Sequence, residues 1–126
     1  MKNIIILLSI LLPLFLISCT HSTSPDENPE WVKNLIATYE KDSVGNPPQS
    51  IWQYEYNGQT VYYVPPQCCD QFSRLYDANG KEICAPDGGF TGQGDGKCSD
   101  FFQERKNEKL IWKDPRIGVM HFKTAG

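Results

Sequence analysis

The sequence contains little of what most catalytic sites require. Its 126 residues include only two histidines, His21 and His121, and both lie near an end of the chain. This scarcity argues against Ser-His-Asp, Cys-His and histidine-metal sites in the folded part. A carboxylate pair could still be drawn from Asp70, Asp77, Asp87 and Asp95. With fifteen acidic side chains some such pair is expected by chance, so a carboxylate-based enzyme is only a minor alternative.

Clusters of basic residues are also missing. The chain has 12 Lys and Arg against 15 Asp and Glu, a net charge of −3, and no segment concentrates positive charge. We therefore expect no nucleic-acid partner. A phosphate-binding loop is not expected either, because Cys98 follows Lys97 where that motif requires Ser or Thr. No cofactor is predicted.

The first eighteen residues predict a targeting segment. An apolar run follows Lys2 and extends to Ile17, which at ~1.5 Å per residue is short for a ~30 Å hydrocarbon core but typical of a signal peptide. The segment Leu16-Ile17-Ser18-Cys19 resembles the lipobox of bacterial lipoproteins, in which the cysteine receives a diacylglycerol. We expect cleavage before Cys19 and a lipid anchor on it, in the inner or outer membrane, with the domain in the periplasm or at the cell surface.

The other four cysteines predict disulfide bonds. Cys68, Cys69, Cys84 and Cys98 are an even number in an exported chain with a small core. A bond between the neighbours Cys68 and Cys69 would be strained, so we expect each to bond with one of Cys84 and Cys98. The sequence leaves open which pairs with which. Zinc binding is the alternative, but the C-x₂-C spacing typical of zinc sites is missing.

The chain after the signal peptide predicts one small domain. Residues 19–27 are polar and rich in Ser, Thr and Pro, as in a flexible tether, residues 28–115 form the domain, and residues 116–126 form a tail without a clear pattern. Asn28 and Pro29 suit the N-cap and first position of a helix. An apolar stripe at helical spacing follows, made of Trp31, Val32, Leu35, Ile36 and Tyr39.

The Asn57-Gly58 turn between two alternating segments predicts a β-hairpin of residues 51–56 and 59–64. A two-residue turn fixes the register and gives the hairpin one aromatic face. We expect that face to pack against the helix; it consists of Trp52, Tyr54, Val61 and Tyr63. The opposite face is expected to be polar, with Gln53, Glu55, Thr60 and Tyr62.

A second hairpin is predicted around Asn79-Gly80, with a three-residue loop and Gly80 in the left-handed region. Its register would place Leu75 opposite Ile83 in the core and Asp77 opposite Lys81 outside. Further along the chain, a short helix is predicted from Ser99 or Asp100 through Lys106, and a last strand at residues 109–113. The predicted fold class is therefore α+β, with an N-terminal helix packed on an antiparallel sheet built from hairpins.

Residues 86–97 form a glycine-rich loop, which is the candidate binding site. Its density of glycine excludes a regular element, and conspicuous loops on rigid scaffolds often carry function. The candidate residues are Asp87, Gly88, Gly89, Thr91, Gly92, Asp95 and Lys97, with residues 68–71 beside them. Calcium is an alternative ligand through Asp87, Asp95 and Asp100, although their spacing matches neither an EF-hand nor a glycine-aspartate repeat.

The stretch from Trp31 to Trp112 resembles an uncharacterised family of small bacterial lipoproteins with one domain of unknown function. The resemblance depends on the segments YEYNGQTVYYV, QCCDQ, LYDANG and IC-PDGG-TG-GDGKC-DF. Because that family has no assigned activity, the resemblance supplies no catalytic residue or ligand. We expect a non-catalytic binding module of the cell envelope, whose partner is an envelope protein or a glycan. The alternatives are a calcium-binding envelope module and a carboxylate-based envelope enzyme.

Overall fold

The computed structural model describes residues 27–68 and 70–116. The elements are α1 (Glu30–Lys41), β1 (Ser50–Tyr56), β2 (Gln59–Val64), β3 (Arg74–Asp77), β4 (Glu82–Cys84), α2 (Phe101–Glu104) and β5 (Lys106–Lys113). The strands form one antiparallel sheet in the order β4-β3-β2-β1-β5. The predicted α+β class, with a helix on an antiparallel sheet, is confirmed. Within the described residues, no helix is long and apolar enough to span a membrane.

Helix α1 begins one residue later than predicted. Pro29 is its N-cap, and the backbone N–H groups of Val32 and Lys33 donate to the Pro29 carbonyl at 2.9 and 3.2 Å. The ψ of Pro29 is 149°, an extended conformation that cannot continue into the helix, so Pro29 is not its first position. The predicted N-cap role of Asn28 is therefore wrong.

The register of the first hairpin is confirmed, because β1 pairs with β2 as Tyr54 with Val61 and Trp52 with Tyr63. The prediction of which face meets the helix is wrong. Helix α1 packs on the opposite face; that cluster contains Val32, Ile51, Tyr62, Val64 and Tyr76. Both faces of the sheet are covered. Of the residues that suggested a solvated face, Glu55 and Thr60 are exposed beside the turn, whereas Gln53 is half-buried and Tyr62 is buried.

The aromatic face packs against α2 and a disulfide bond instead. Phe101 of α2 is fully buried and contacts the rings of Tyr54, Tyr56 and Tyr63 at centroid distances of 5.4–5.5 Å. The Tyr54 hydroxyl accepts a hydrogen bond from Arg105 at 2.9 Å and donates to Glu108 at 2.7 Å. Burial, followed by the Glu108 contact, raises the pKa of Tyr54 to about 12. The polar end of this buried ring is thus satisfied on both sides.

The second hairpin has the predicted loop but not the predicted core pair. The Asp77 N–H donates to the Lys81 carbonyl at 2.9 Å, and Gly80 has a φ of +84°. Leu75, however, pairs with Cys84 rather than with Ile83, because the register shifts between Leu75 and Tyr76. This irregularity leaves Ile83 44% exposed.

The disulfide bond Cys84–Cys98 contradicts the predicted connectivity, in which both cysteines bond with Cys68 and Cys69. Cys84 ends β4 on the face covered by α2, and the chain returns through the glycine-rich loop to Cys98, just before α2. The two Cα atoms lie 6.2 Å apart, within the range for a disulfide. Cys68 is also disulfide-bonded, and its partner lies outside the described residues.

The C-terminal boundaries also differ from those predicted. Helix α2 ends at Glu104 rather than at Lys106, and β5 starts at Lys106, because the Arg105 backbone is extended with ψ of 142°. Arg116, assigned to the tail, belongs to the domain. Its guanidinium pairs with buried Asp114 at 2.6 Å and donates to the carbonyls of Tyr39, Glu40 and Asp42 at the end of α1. The rest of the predicted tail, residues 117–126, lies outside the described residues.

Replacing Cys84 and Cys98 together by Ser is expected to lower the free energy of unfolding by about 3 kcal/mol. The bond closes a loop with a sequence separation of 14, and chain entropy gives about this value for such a loop. Urea unfolding at pH 7 measures the change. The same pair of substitutions should leave the far-UV circular dichroism spectrum unchanged. A loss below about 1 kcal/mol would show that the bond does not brace the fold.

Candidate functional site

The glycine-rich loop is held to the sheet by backbone hydrogen bonds. The Ser73 N–H donates to the Asp87 carbonyl at 3.1 Å, the Gly89 N–H to the Gln71 carbonyl at 3.0 Å, and the Asp95 N–H to the Ala85 carbonyl at 2.9 Å. These bonds join its beginning, middle and end to the segments beside it. The loop therefore has one defined conformation on the scaffold.

Its glycines have positive φ values, between +68° and +81° at positions 88, 89, 92, 94 and 96. Two of them also allow close backbone approach. A Cβ atom on Gly94 would overlap the Ala85 carbonyl, and one on Gly88 would overlap the Gln71 carbonyl. No side chain fits at either position, so glycine is required there for packing as well as for conformation.

Asp87 is half-buried in a hydrogen-bond network at the start of the loop. Its carboxylate accepts a hydrogen bond from the Tyr63 hydroxyl, which lies 2.9 and 3.0 Å from the two carboxylate oxygens. The Asp87 N–H donates to Ser73 Oγ at 3.1 Å. Burial, and secondly the Asp87 carboxylate, raise the pKa of Tyr63. Asp87 therefore fastens the loop to β2 and to the segment that leads into β3.

The structure does not bring the calcium candidates together. Asp95 accepts the Lys97 N–H at 3.0 Å, which lowers the pKa of Asp95, and Asp100 accepts the Tyr56 hydroxyl at 2.7 Å. Asp87 is bonded to Tyr63, as described above. In residues 27–68 and 70–116 no three His, Cys, Asp or Glu side chains converge as metal ligands would.

Two phenylalanines that the sequence analysis did not single out dominate the surface of the loop. Phe90 is 92% exposed, and Phe72 is 53% exposed with its ring against Gly89. A Cβ at position 89 would overlap that ring, so the Phe72 ring can pack against the loop there only because residue 89 is glycine. Composition could have indicated Phe90, since it is the only apolar side chain of residues 87–97.

Other candidate residues of the loop are exposed as well. Thr91, Gly92 and Lys97 are exposed, and the Lys97 ammonium lies 3.7 Å from the Asp95 carboxylate. A Cβ atom on Gly92 would meet no heavy atom within 4 Å, so this position is open to solvent. Cys68 is exposed as well, whereas Cys19 lies outside the described residues. The loop thus exposes both an aromatic ring and polar side chains.

The loop lies at the end of the domain away from the start of α1. Near that start, Trp31 Nε1 donates to the Ala78 carbonyl at 3.0 Å, in the turn of the second hairpin. Near the other end of α1, Tyr39 lines a cavity together with Gln71, which is bonded to the loop. Helix α1 has 12 residues and is therefore ~18 Å long, and the chain enters the domain at the end of α1 opposite to Tyr39.

A family model described as DUF6970, a domain of unknown function, matches residues 37–114. The chain belongs to the DUF6970 family. No curated protein and no solved structure matches it. The DUF6970 segment contains all five strands, α2, the loop and the Cys84–Cys98 bond, but it starts inside α1. The predicted resemblance began earlier, at Trp31. The shared feature is thus a single domain without an assigned activity.

Gly94→Ala in the DUF6970 domain is expected to lower the free energy of unfolding by about 2–4 kcal/mol. A left-handed residue other than glycine costs about 1 kcal/mol, and the overlap with Ala85 adds the rest. Urea unfolding measures the loss. Gly92→Ala is the matched control, because Gly92 has a φ of +73° with open space around it and should lose only about 1 kcal/mol. Equal losses would contradict the packing of Gly94 on Ala85.

Proposed function

We propose that this DUF6970 protein is a lipid-anchored lipoprotein of the bacterial cell envelope, and that its domain is a non-catalytic binding module. The glycine-rich loop is its recognition surface. The observation that carries the proposal is the almost complete exposure of Phe90 on a loop fixed by backbone hydrogen bonds. An exposed phenyl ring forgoes the ~1.5–3 kcal/mol that burial would contribute, and a partner recovers it.

The loop is suited to a protein partner. Phe90 and Phe72 are exposed aromatic side chains on and beside the loop, and Thr91, Gln93 and Lys97 of the loop are exposed polar ones. Protein interfaces combine such side chains, with aromatic anchors at the centre and a polar rim. Because the backbone is already held in place, little conformational entropy is lost when a partner binds.

The position of the loop also supports an outward-facing role. A tether of residues 19–27 reaches at most ~30 Å whatever its conformation, and it joins the domain beside the start of α1. The loop is at the other end. A domain anchored through Cys19 can therefore present the loop away from its own membrane.

The anchor is tested by the mass and N-terminus of the native protein. We expect a mature chain that starts at Cys19 with added acyl mass and that separates with membranes. Cys19→Ser should remain an unlipidated precursor, because serine lacks the thiol that receives the lipid. Ser18→Ala is the matched control, since a small residue remains before the cysteine, and should be processed normally. A native protein that starts at Met1 without acyl mass would exclude the anchor.

The recognition surface is tested by site-specific photo-crosslinking in intact cells. A photoreactive phenylalanine analogue at position 90 is expected to give a discrete crosslinked product on gels, because its ring would be buried by the partner. The same analogue at Leu110 is the control, since Leu110 is 46% exposed on β5, the edge strand at the other side of the sheet. No product at position 90, or the same product at both positions, would argue against the loop.

A further inference from the structure

A cleft crosses the end of the first hairpin, beside the glycine-rich loop. It consists of two cavities, of about 560 and 190 Å³, which share Gln49, Pro65 and Pro66. We call it the proline cleft. The larger cavity falls within the ~300–1,000 Å³ of small-molecule sites. Gln49 precedes β1 and the two prolines follow β2, so the cleft has a rigid base in the central pair of strands.

Three glutamine side chains line the larger cavity. Gln49 comes from the segment before β1, whereas Gln67 and Gln71 come from the segment between β2 and β3. Each amide offers two donor hydrogens and one acceptor oxygen. Tyr39 lines the same cavity and adds a hydroxyl to this set. This alternation of donors and acceptors suits a ligand with several hydroxyl groups.

The charged groups of the larger cavity favour a neutral ligand. One guanidinium, from Arg74, faces two carboxylates, from Asp70 and Glu82. With the Lys113 ammonium of the smaller cavity, the cleft has two cations and two carboxylates, and therefore no net charge that would attract a phosphate or another polyanion. Charged side chains in this arrangement can still accept from, and donate to, neutral hydroxyls.

The smaller cavity supplies a flat apolar surface. It is lined by Trp52 and by the prolines 47, 48, 65 and 66. The Trp52 Nε1 donates to Ser50 Oγ at 3.1 Å, so its polar atom is already satisfied and the ring surface is what it offers. A pyranose ring has C–H groups on its faces and hydroxyls at its edge, and it therefore matches an aromatic surface next to amides.

Gly45 positions one of the amides. A Cβ atom on Gly45 would overlap the amide of Gln67, so the side chain lies directly over this glycine. Both residues are partly buried. Because the Gln67 amide is the end of a flexible side chain, Gly45→Ala would displace it without disturbing the backbone, where no positive φ is required.

We propose that the proline cleft binds a neutral saccharide. One sugar ring packs on Trp52 and the prolines in the smaller cavity. The hydroxyls of the next sugar unit form hydrogen bonds with the amides of Gln49, Gln67 and Gln71 in the larger cavity. This site adjoins the recognition surface of the proposed function, because Gln71 and Phe72 line the larger cavity, but neither cavity includes Phe90 or any residue of the segment 86–97. The proposal for the cleft and the proposal for the loop can therefore fail independently of each other.

Isothermal titration calorimetry of the full chain in a sugar-free detergent tests the proposal. The probes are the tetrasaccharides of glucose, mannose and N-acetylglucosamine at about 10 mM, with inorganic phosphate as the anionic comparison. We expect saturable heat with at least one tetrasaccharide and none with phosphate. Gln71→Ala and Gly45→Ala should each weaken that binding about tenfold, the effect of a lost hydrogen-bonded pair.

Gln59→Ala is the matched control, because Gln59 is exposed at the hairpin turn and undergoes the same chemical change. It should bind as the wild type does, and so should Phe90→Ala, which affects only the loop. Trp52→Ala is not used, since Trp52 also packs on the core. Absence of heat with all three tetrasaccharides, binding of phosphate alone, or equal weakening by Gln59→Ala would overturn the proposal.

Discussion

The backbone pairing of β1 with β2 determines which side chains reach each face of the sheet. Once Tyr54 lies opposite Val61, every second residue of both strands points to one side and the remainder to the other. Each side then needs its own cover, since both carry large apolar groups. Helix α1 covers one side, and α2 with the Cys84–Cys98 bond covers the other. The cleft lies at the ends of these two strands, and the loop follows β4.

Local chemistry made much of this predictable. Asn57-Gly58 identified the first hairpin and its register, and Gly80 identified the turn of the second, because each depends on a few adjacent residues. The face of the sheet against which α1 packs is not determined by adjacent residues alone. In the sequence Tyr62 lies among polar residues, but in the fold it belongs to the cluster that packs against α1. The opposite face of the hairpin is covered by Phe101 of α2, and the sequence does not show this. Tertiary packing, and not the periodicity of the strands, determined which face α1 covers.

The candidate site shows the same division. Glycine density alone located the loop, and it correctly excluded regular structure there. It could not show that Asp87 is bonded to Tyr63, or that Gln71 and Ala85 hold the loop through their carbonyls. Tyr63 and Gln71 lie outside the loop in sequence and reach it only in the folded sheet. The cysteine pairing was mispredicted for a related reason, because it was argued from the strain of one alternative rather than from strand positions.

The same contacts connect the shape of the loop to the stability of the core. Cys84 and Tyr63 both belong to the buried cluster around Phe101, and each is also attached to the loop, one by the disulfide to Cys98 and the other by its hydroxyl on Asp87. A change in that cluster must therefore move the loop. The exposed ring of Phe90 is carried by a loop that is fixed beneath it, because Gly88 and Gly94 already lie against the carbonyls of Gln71 and Ala85. Its exposure follows from the packing beneath it rather than from the absence of structure.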